Sequence, residues 1–105
     1  MGFFLPFIIN KMRNLVLVKE FDLSYEGLDA FRDKINPILQ TAKEDIILDF
    51  SDIQISLDSS AIGELMKFHS VLEKKSLKLC LKNVNKLIRT VFKLNKLDTI
   101  LTLVD

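Results

Sequence analysis

Apolar residues fall along this chain in short blocks whose spacing alternates between strand-like and helical. Phe3-Phe4-Leu5-Pro6-Phe7-Ile8-Ile9 is a first apolar block, predicted as an edge strand, where Pro6 is tolerated because one side of an edge makes no ladder bonds. Asn10 to Asn14 is polar and turn-like, and Leu15-Val16-Leu17-Val18 follows as a second strand, so the two blocks suggest a hairpin. Ser24 is read as the N-cap of the next element. Leu28, Phe31, Ile35, Ile38 and Leu39 then recur at helical spacing. Pro37 lacks an N–H and crowds the preceding turn, so a kinked or split helix is expected, with Asn36 able to cap a restart.

Asp45-Ile46-Ile47-Leu48-Asp49-Phe50 is too short for a good helix and reads as a buried strand. Ser51 to Leu57 reads as a loop or irregular strand. Ile62, Leu65, Met66, His69 and Leu72 then place one face of a helix running from about Ser60 to Lys74. Leu77-Lys78-Leu79-Cys80-Leu81 alternates like a strand. Asn83-Val84-Asn85 supplies a cap for a third amphipathic helix through Leu87, Ile88, Val91, Phe92 and Leu94, and Ile100 to Val104 is a final strand. The order β-β-α-β-α-β-α-β predicts an α/β domain with a mostly parallel sheet reached by right-handed crossovers. With no repeat or linker, residues 1–105 read as one domain, with 1–12 an N-terminal edge strand or extension.

Composition narrows what such a domain can do. Hydrophobic residues are 49% and charged residues 28%, which suits a packed globular domain. The net charge of +1, from 15 basic and 14 acidic residues, provides no electrostatic footprint for nucleic acid. A single cysteine, Cys80, precludes an intrachain disulfide and fits a reducing cytosol. The apolar N-terminal block falls far short of the roughly 20 residues a spanning helix needs, and no basic residue or cleavage site marks it as a signal. A cytoplasmic protein is expected, with the N-terminal edge strand leaving room for a homodimer.

Catalytic constellations are scarce. His69 is the only histidine, and it reads as a packed helix residue, because a general base needs a positioned partner. Cys80 reads as a small core residue rather than a nucleophile. One histidine and one cysteine suggest no metal site, and three scattered glycines make no phosphate loop, so neither enzyme chemistry nor a cofactor is expected. Of the carboxylates, Asp45 and Asp52 read as a solvated rim. Asp49 and Asp58 should flank the carboxyl edge of the sheet, where open α/β sheets meet ligands and partners. Ser59 and Ser60 precede a helix whose first N–H groups lack partners. A hydroxyl there either caps the helix, worth about 1 kcal/mol, or accepts a phosphoryl group favoured by the helix dipole.

Asp45 to Phe50, the run Asp58-Ser59-Ser60-Ala61-Ile62-Gly63-Glu64-Leu65, the strand around Leu79-Cys80-Leu81 and the tail from Leu87 to Leu101 together resemble a STAS domain over about residues 13 to 105. That is the family of anti-sigma-factor antagonists and sulphate-transporter cytoplasmic domains. Asp58-Ser59-Ser60 with Ile62-Gly63 is similar to the family's DSSGLG-like signature, and Glu20-Phe21-Asp22 to the stretch before its first helix. The resemblance implies a bacterial, non-enzymatic switch. Its unphosphorylated form binds a serine-kinase anti-sigma factor, which releases it on phosphorylation, and a phosphatase resets it. Ser60 is the implied acceptor, Ser59 the second choice, and Asp22, Asp49, Asp58, Ser59, Ala61, Ile62 and Glu64 the implied partner surface. Ala61, standing where the signature has glycine, and the apolar N-terminus motivate the alternative: a non-phosphorylated STAS interaction subunit of a transport or signalling complex.

Overall fold

Backbone groups of adjacent extended runs must find partners, and the apolar strands find one another. The computed structural model describes residues 14–104, and the expected N-terminal edge strand lies outside them. Four strands, β1 (Leu15–Leu17), β2 (Ile46–Asp49), β3 (Leu79–Lys82) and β4 (Thr102–Val104), form one sheet in the order 1-2-3-4. Every pair is parallel. Helices α1 (Leu28–Thr41), α2 (Ser59–Glu73) and α3 (Lys86–Leu94) supply the crossovers. Right-handed crossovers that all step in one direction lay successive helices on one face of the sheet.

The register shows which face that is. Val16, Leu48, Leu81 and Leu103 stand side by side across the four strands and belong to the core shared with the helices. The neighbouring row, Leu15, Ile47, Cys80 and Thr102, stands outside that core because strand side chains alternate between faces. Cys80 is thus buried as expected, but not in the main core, and burial pushes its thiol pKa up. Phe31 of α1 meets Phe68 of α2 edge-to-face, ring centroids 6.1 Å apart at 62°, the geometry that aromatic quadrupoles favour. Lys75, just beyond α2, donates to the carbonyls of Leu39 (2.7 Å) and Gln40 (2.6 Å) and so satisfies the C-terminal end of α1.

Two local expectations need correction. Ser24 does not cap α1. It closes a 3-10 turn over Glu20–Leu23: its hydroxyl donates to the Phe21 carbonyl (2.6 Å) and accepts from the Gly27 N–H (3.1 Å), and α1 starts after Gly27. Pro37 does not split the helix; α1 runs unbroken through it. The proline faces solvent, so one backbone bond is forgone where water can reach, while Phe31, Ile35 and Leu39 bury the opposite stripe.

Gly27 has an ordinary negative φ of −93°, so its role is spatial. A Cβ there would overlap the Phe21 carbonyl and crowd its ring. Gly27→Ala is therefore expected to destabilise the domain. Urea unfolding checks this: a midpoint equal to or above wild type contradicts it.

Candidate functional site

Loops leaving β1, β2 and β3 converge on the carboxyl edge of the sheet, and the start of α2 is their centre. Asp58 has extended backbone (φ −86°, ψ 176°), and its carboxylate accepts the Ala61 N–H at 2.9 Å. Asp58 is therefore the N-cap, as the spacing of a short acceptor before a helix requires. That settles the work that a serine could have done. Ser59 and Ser60 are exposed, and neither hydroxyl hydrogen-bonds to another described residue.

The residues after the serines divide by helical phase. Ala61 has no exposed surface, so its methyl faces the core and leaves the outer surface as a glycine would. Ile62 is half-buried against the core. Gly63 is exposed, and a Cβ there would meet nothing within 4 Å. Glu64 is 4% exposed. A buried carboxylate needs a partner, and Arg32 of α1 provides it, Nη2 donating to Oε1 at 2.7 Å. Arg32 also bridges Asp29 of its own helix at 2.9 Å. The Arg32 hydrogen bond holds the Glu64 carboxyl below the usual carboxylate range, against the opposing effect of burial. Glu64 likewise raises the Arg32 guanidinium. Between α1 and α2 lies an open groove of about 700 Å³, lined by Tyr25, Asp29, Arg32, Ser60, Glu64 and Lys67 among others.

The other carboxylates singled out in the sequence are engaged locally. Asp22 accepts the Lys19 N–H at 2.9 Å. Asp49 accepts the Ser51 N–H at 2.9 Å and the Asn83 side-chain amide at 3.1 Å. Those bonds, the Ser51 N–H foremost, lower the Asp49 pKa. The structure thus gathers Asp58, Ser59 and Ser60 at one point, with Glu64 a turn further along α2. Ala61 is buried beneath the surface, whereas Glu64, largely buried, still lines the groove between α1 and α2. His69 is largely buried on α2, its Nε2 3.7 Å from a Glu73 carboxylate oxygen. Among the described residues no three potential ligands gather into a metal site.

Sequence reading missed three features of this edge. Phe21 and Tyr25 follow β1, Ile55 follows β2 and Leu87 follows β3, and all four are exposed, Tyr25 to 85%. The 3.6-residue period marks buried stripes, so Phe21, Tyr25 and Ile55 gave no signal, whereas Leu87, expected on the apolar face of α3, is exposed there. Asn85 caps α3 as expected, accepting the Ile88 N–H (2.9 Å), and, with no mark in the sequence, also donates to the carbonyls of Ile53 (2.9 Å) and Ile55 (3.0 Å), fastening the loop that leads to Ser59. The Arg32–Glu64 pair spans 32 positions. Its one trace in the sequence is Glu64 lying beside the apolar stripe of Ala61, Leu65 and Phe68, where an acid requires a cation.

A carboxyl whose folded pKa is depressed contributes stability that is present above its unfolded pKa and lost as pH falls through the folded value. For Glu64 that loss begins below the ordinary value of 4.5. Glu64→Gln is expected to cost about 1–3 kcal/mol at pH 7, by leaving Arg32 without its carboxylate, and to flatten the decline in stability below pH 4.5. Urea unfolding at a series of pH values tests both; parallel curves for the two proteins would remove Glu64 from the acid response.

The STAS domain model matches residues 11–105 of this chain. A crystal structure of a Thermotoga maritima protein, provisionally assigned as an anti-sigma factor antagonist, superimposes with a TM-score of 0.74 at 22% identity, covering 88% of this chain and 80% of that one. An NMR structure of the same protein, TM1081, gives a TM-score of 0.73 at 21% identity, covering 87% of this chain and 72% of that one. No curated protein matches the chain. At these identities the two structures carry the fold, while the family model spans nearly the whole sequence: the chain belongs to the STAS domain family.

Proposed function

We propose that the protein is a phosphorylatable binding switch of the anti-sigma-factor antagonist type. In this reading it engages a serine-kinase anti-sigma factor when unphosphorylated, releases it when Ser60 carries phosphate, and is reset by a phosphatase. One observation carries the reading: Asp58 caps α2, which leaves the Ser60 hydroxyl exposed and without a hydrogen-bond partner at the positive end of the helix. Ser59 shares that exposure and is the second candidate. The switch needs no catalytic group of its own. In the transfer, the Ser60 oxygen attacks the γ-phosphorus of a nucleoside triphosphate held by the kinase. The nucleoside diphosphate leaves with the bridging electron pair, and the hydroxyl proton passes to a base of the kinase.

In this reading the same edge is the partner surface. Phe21, Tyr25, Ile55 and Leu87 all follow strands at this edge and are exposed, Tyr25 lining a groove with Ser59 and Ser60, and their apolar area is of the kind that anchors interfaces. Asp22, Asp49 and Asp58 keep the loops that carry them in place, and Ile62 adds a half-buried contact. A phosphate on Ser60 would put nearly two negative charges beside that apolar surface, and the cost of burying them against a partner drives release. No described helix is long and apolar enough to cross a membrane, and we place the switch in the cytoplasm.

Incubation with a cognate kinase and ATP should add one phosphate to the wild type and none to Ser60→Ala, read by mass spectrometry. Ser60→Asp should weaken the kinase complex by tenfold or more in calorimetry, and Phe21→Ala or Ile55→Ala should weaken it without blocking the fold. An unmodified protein that binds its partner equally well as wild type and as Ser60→Asp would assign the chain to the non-phosphorylated interaction subunits instead.

A further inference from the structure

Ser60, Glu64 and Lys67 are spaced i, i+4 and i+7 along α2 and so lie on one stripe. All three line the same groove as Arg32, which reaches across from α1. Arg32 is divided between two carboxylates, Glu64 at 2.7 Å and Asp29 at 2.9 Å, and 37% of its side chain remains open to solvent. Lys67 stands 3.8 Å from the same Glu64 oxygen, too far for a hydrogen bond, with 74% of its side chain exposed. One buried acid therefore has two cations within reach, a bonded arginine and a loosely placed lysine.

A phosphate monoester one helical turn from Glu64 would compete for these cations. It carries nearly two charges and three acceptor oxygens, and the guanidinium fork fits phosphate in a bidentate manner that lysine does not. We infer that a phosphate on Ser60 takes Arg32 from Glu64, leaving Lys67 as the carboxylate's remaining cation. The modification is thereby carried from α2 to α1, because Arg32 is rooted in the first turns of α1 and gives up Asp29 as well. Arg32 acts as a positioning residue for the phosphate and not as a catalytic one. This inference rests on the reading of Ser60 as the phosphoacceptor.

The test installs phosphoserine at position 60 of the full chain by genetic encoding, so that no kinase is needed. Phosphorus NMR then follows the second ionisation of the phosphate, ordinarily near pH 6. Glu64→Gln frees Arg32 for the phosphate; Glu64→Gln combined with Arg32→Gln removes it while leaving no unpaired buried charge. The phosphate should titrate lower in the first variant than in the second by about half a unit or more. In the unsubstituted chain, the Arg32 side-chain N–H signals should move when position 60 changes from serine to phosphoserine. Identical titrations in the two variants overturn the inference, as does an effect of Lys67→Gln equal to that of Arg32→Gln. If Glu64→Gln fails to fold, the Arg32 signals decide, and unmoved signals overturn the proposal. Failure of a kinase to modify Ser60 bears on the switch itself, whereas these readouts bear on Arg32 alone.

Discussion

Backbone N–H groups in the loops and helix first turns that follow parallel strands have neither ladder nor helix partner, and this edge of the protein is organised around answering them. Asp22 answers Lys19, Asp49 answers Ser51, Glu20 answers Gln54, Asp58 answers Ala61 and Asn85 answers Ile88. Each bond fixes the exit of one crossover. The loops can then lie close together with these donors paired. The acidic character of the edge is thus largely consumed in building it, and what remains displayed outward is hydroxyl and apolar surface.

That division explains how the start of α2 comes to display a defined site. A capping carboxylate at Asp58 does the structural work that a hydroxyl otherwise performs, so the serines next to it hold the strand-to-helix junction without being needed for it. The helix beneath stays anchored by Ala61, Leu65, Phe68 and Leu72 in the core and by Glu64 on Arg32. The exposed serines at the junction are therefore mounted on a well-packed support.

Much of the architecture was legible in the sequence, because apolar periodicity and side-chain caps are local signals. Asp45 to Phe50, the helix after Ser59, the cap at Asn85 and the parallel order all emerge from spacings of a few residues. The failures are equally physical. Ser24 looked like a cap because hydroxyls near helix starts usually are; here it closes the preceding turn, and the close approach of Gly27 to Phe21 sets where α1 begins. Pro37 looked like a break because local rules omit which side of the helix it faces. The partners of Glu64 and Asn85 lie about thirty positions away, and no local pattern points to them.

Asn85 also sets how this family member can diverge. Its oxygen serves α3 while its amide nitrogen serves the loop before Ser59, so one side chain holds two unrelated parts of the molecule. An aspartate in its place could keep the first task and could not perform the second, having no N–H to donate. A single-atom exchange of nitrogen for oxygen would leave the fold intact and slacken the approach to the serines. The stiffness of the site is therefore open to evolutionary adjustment separately from the stability of the domain that carries it.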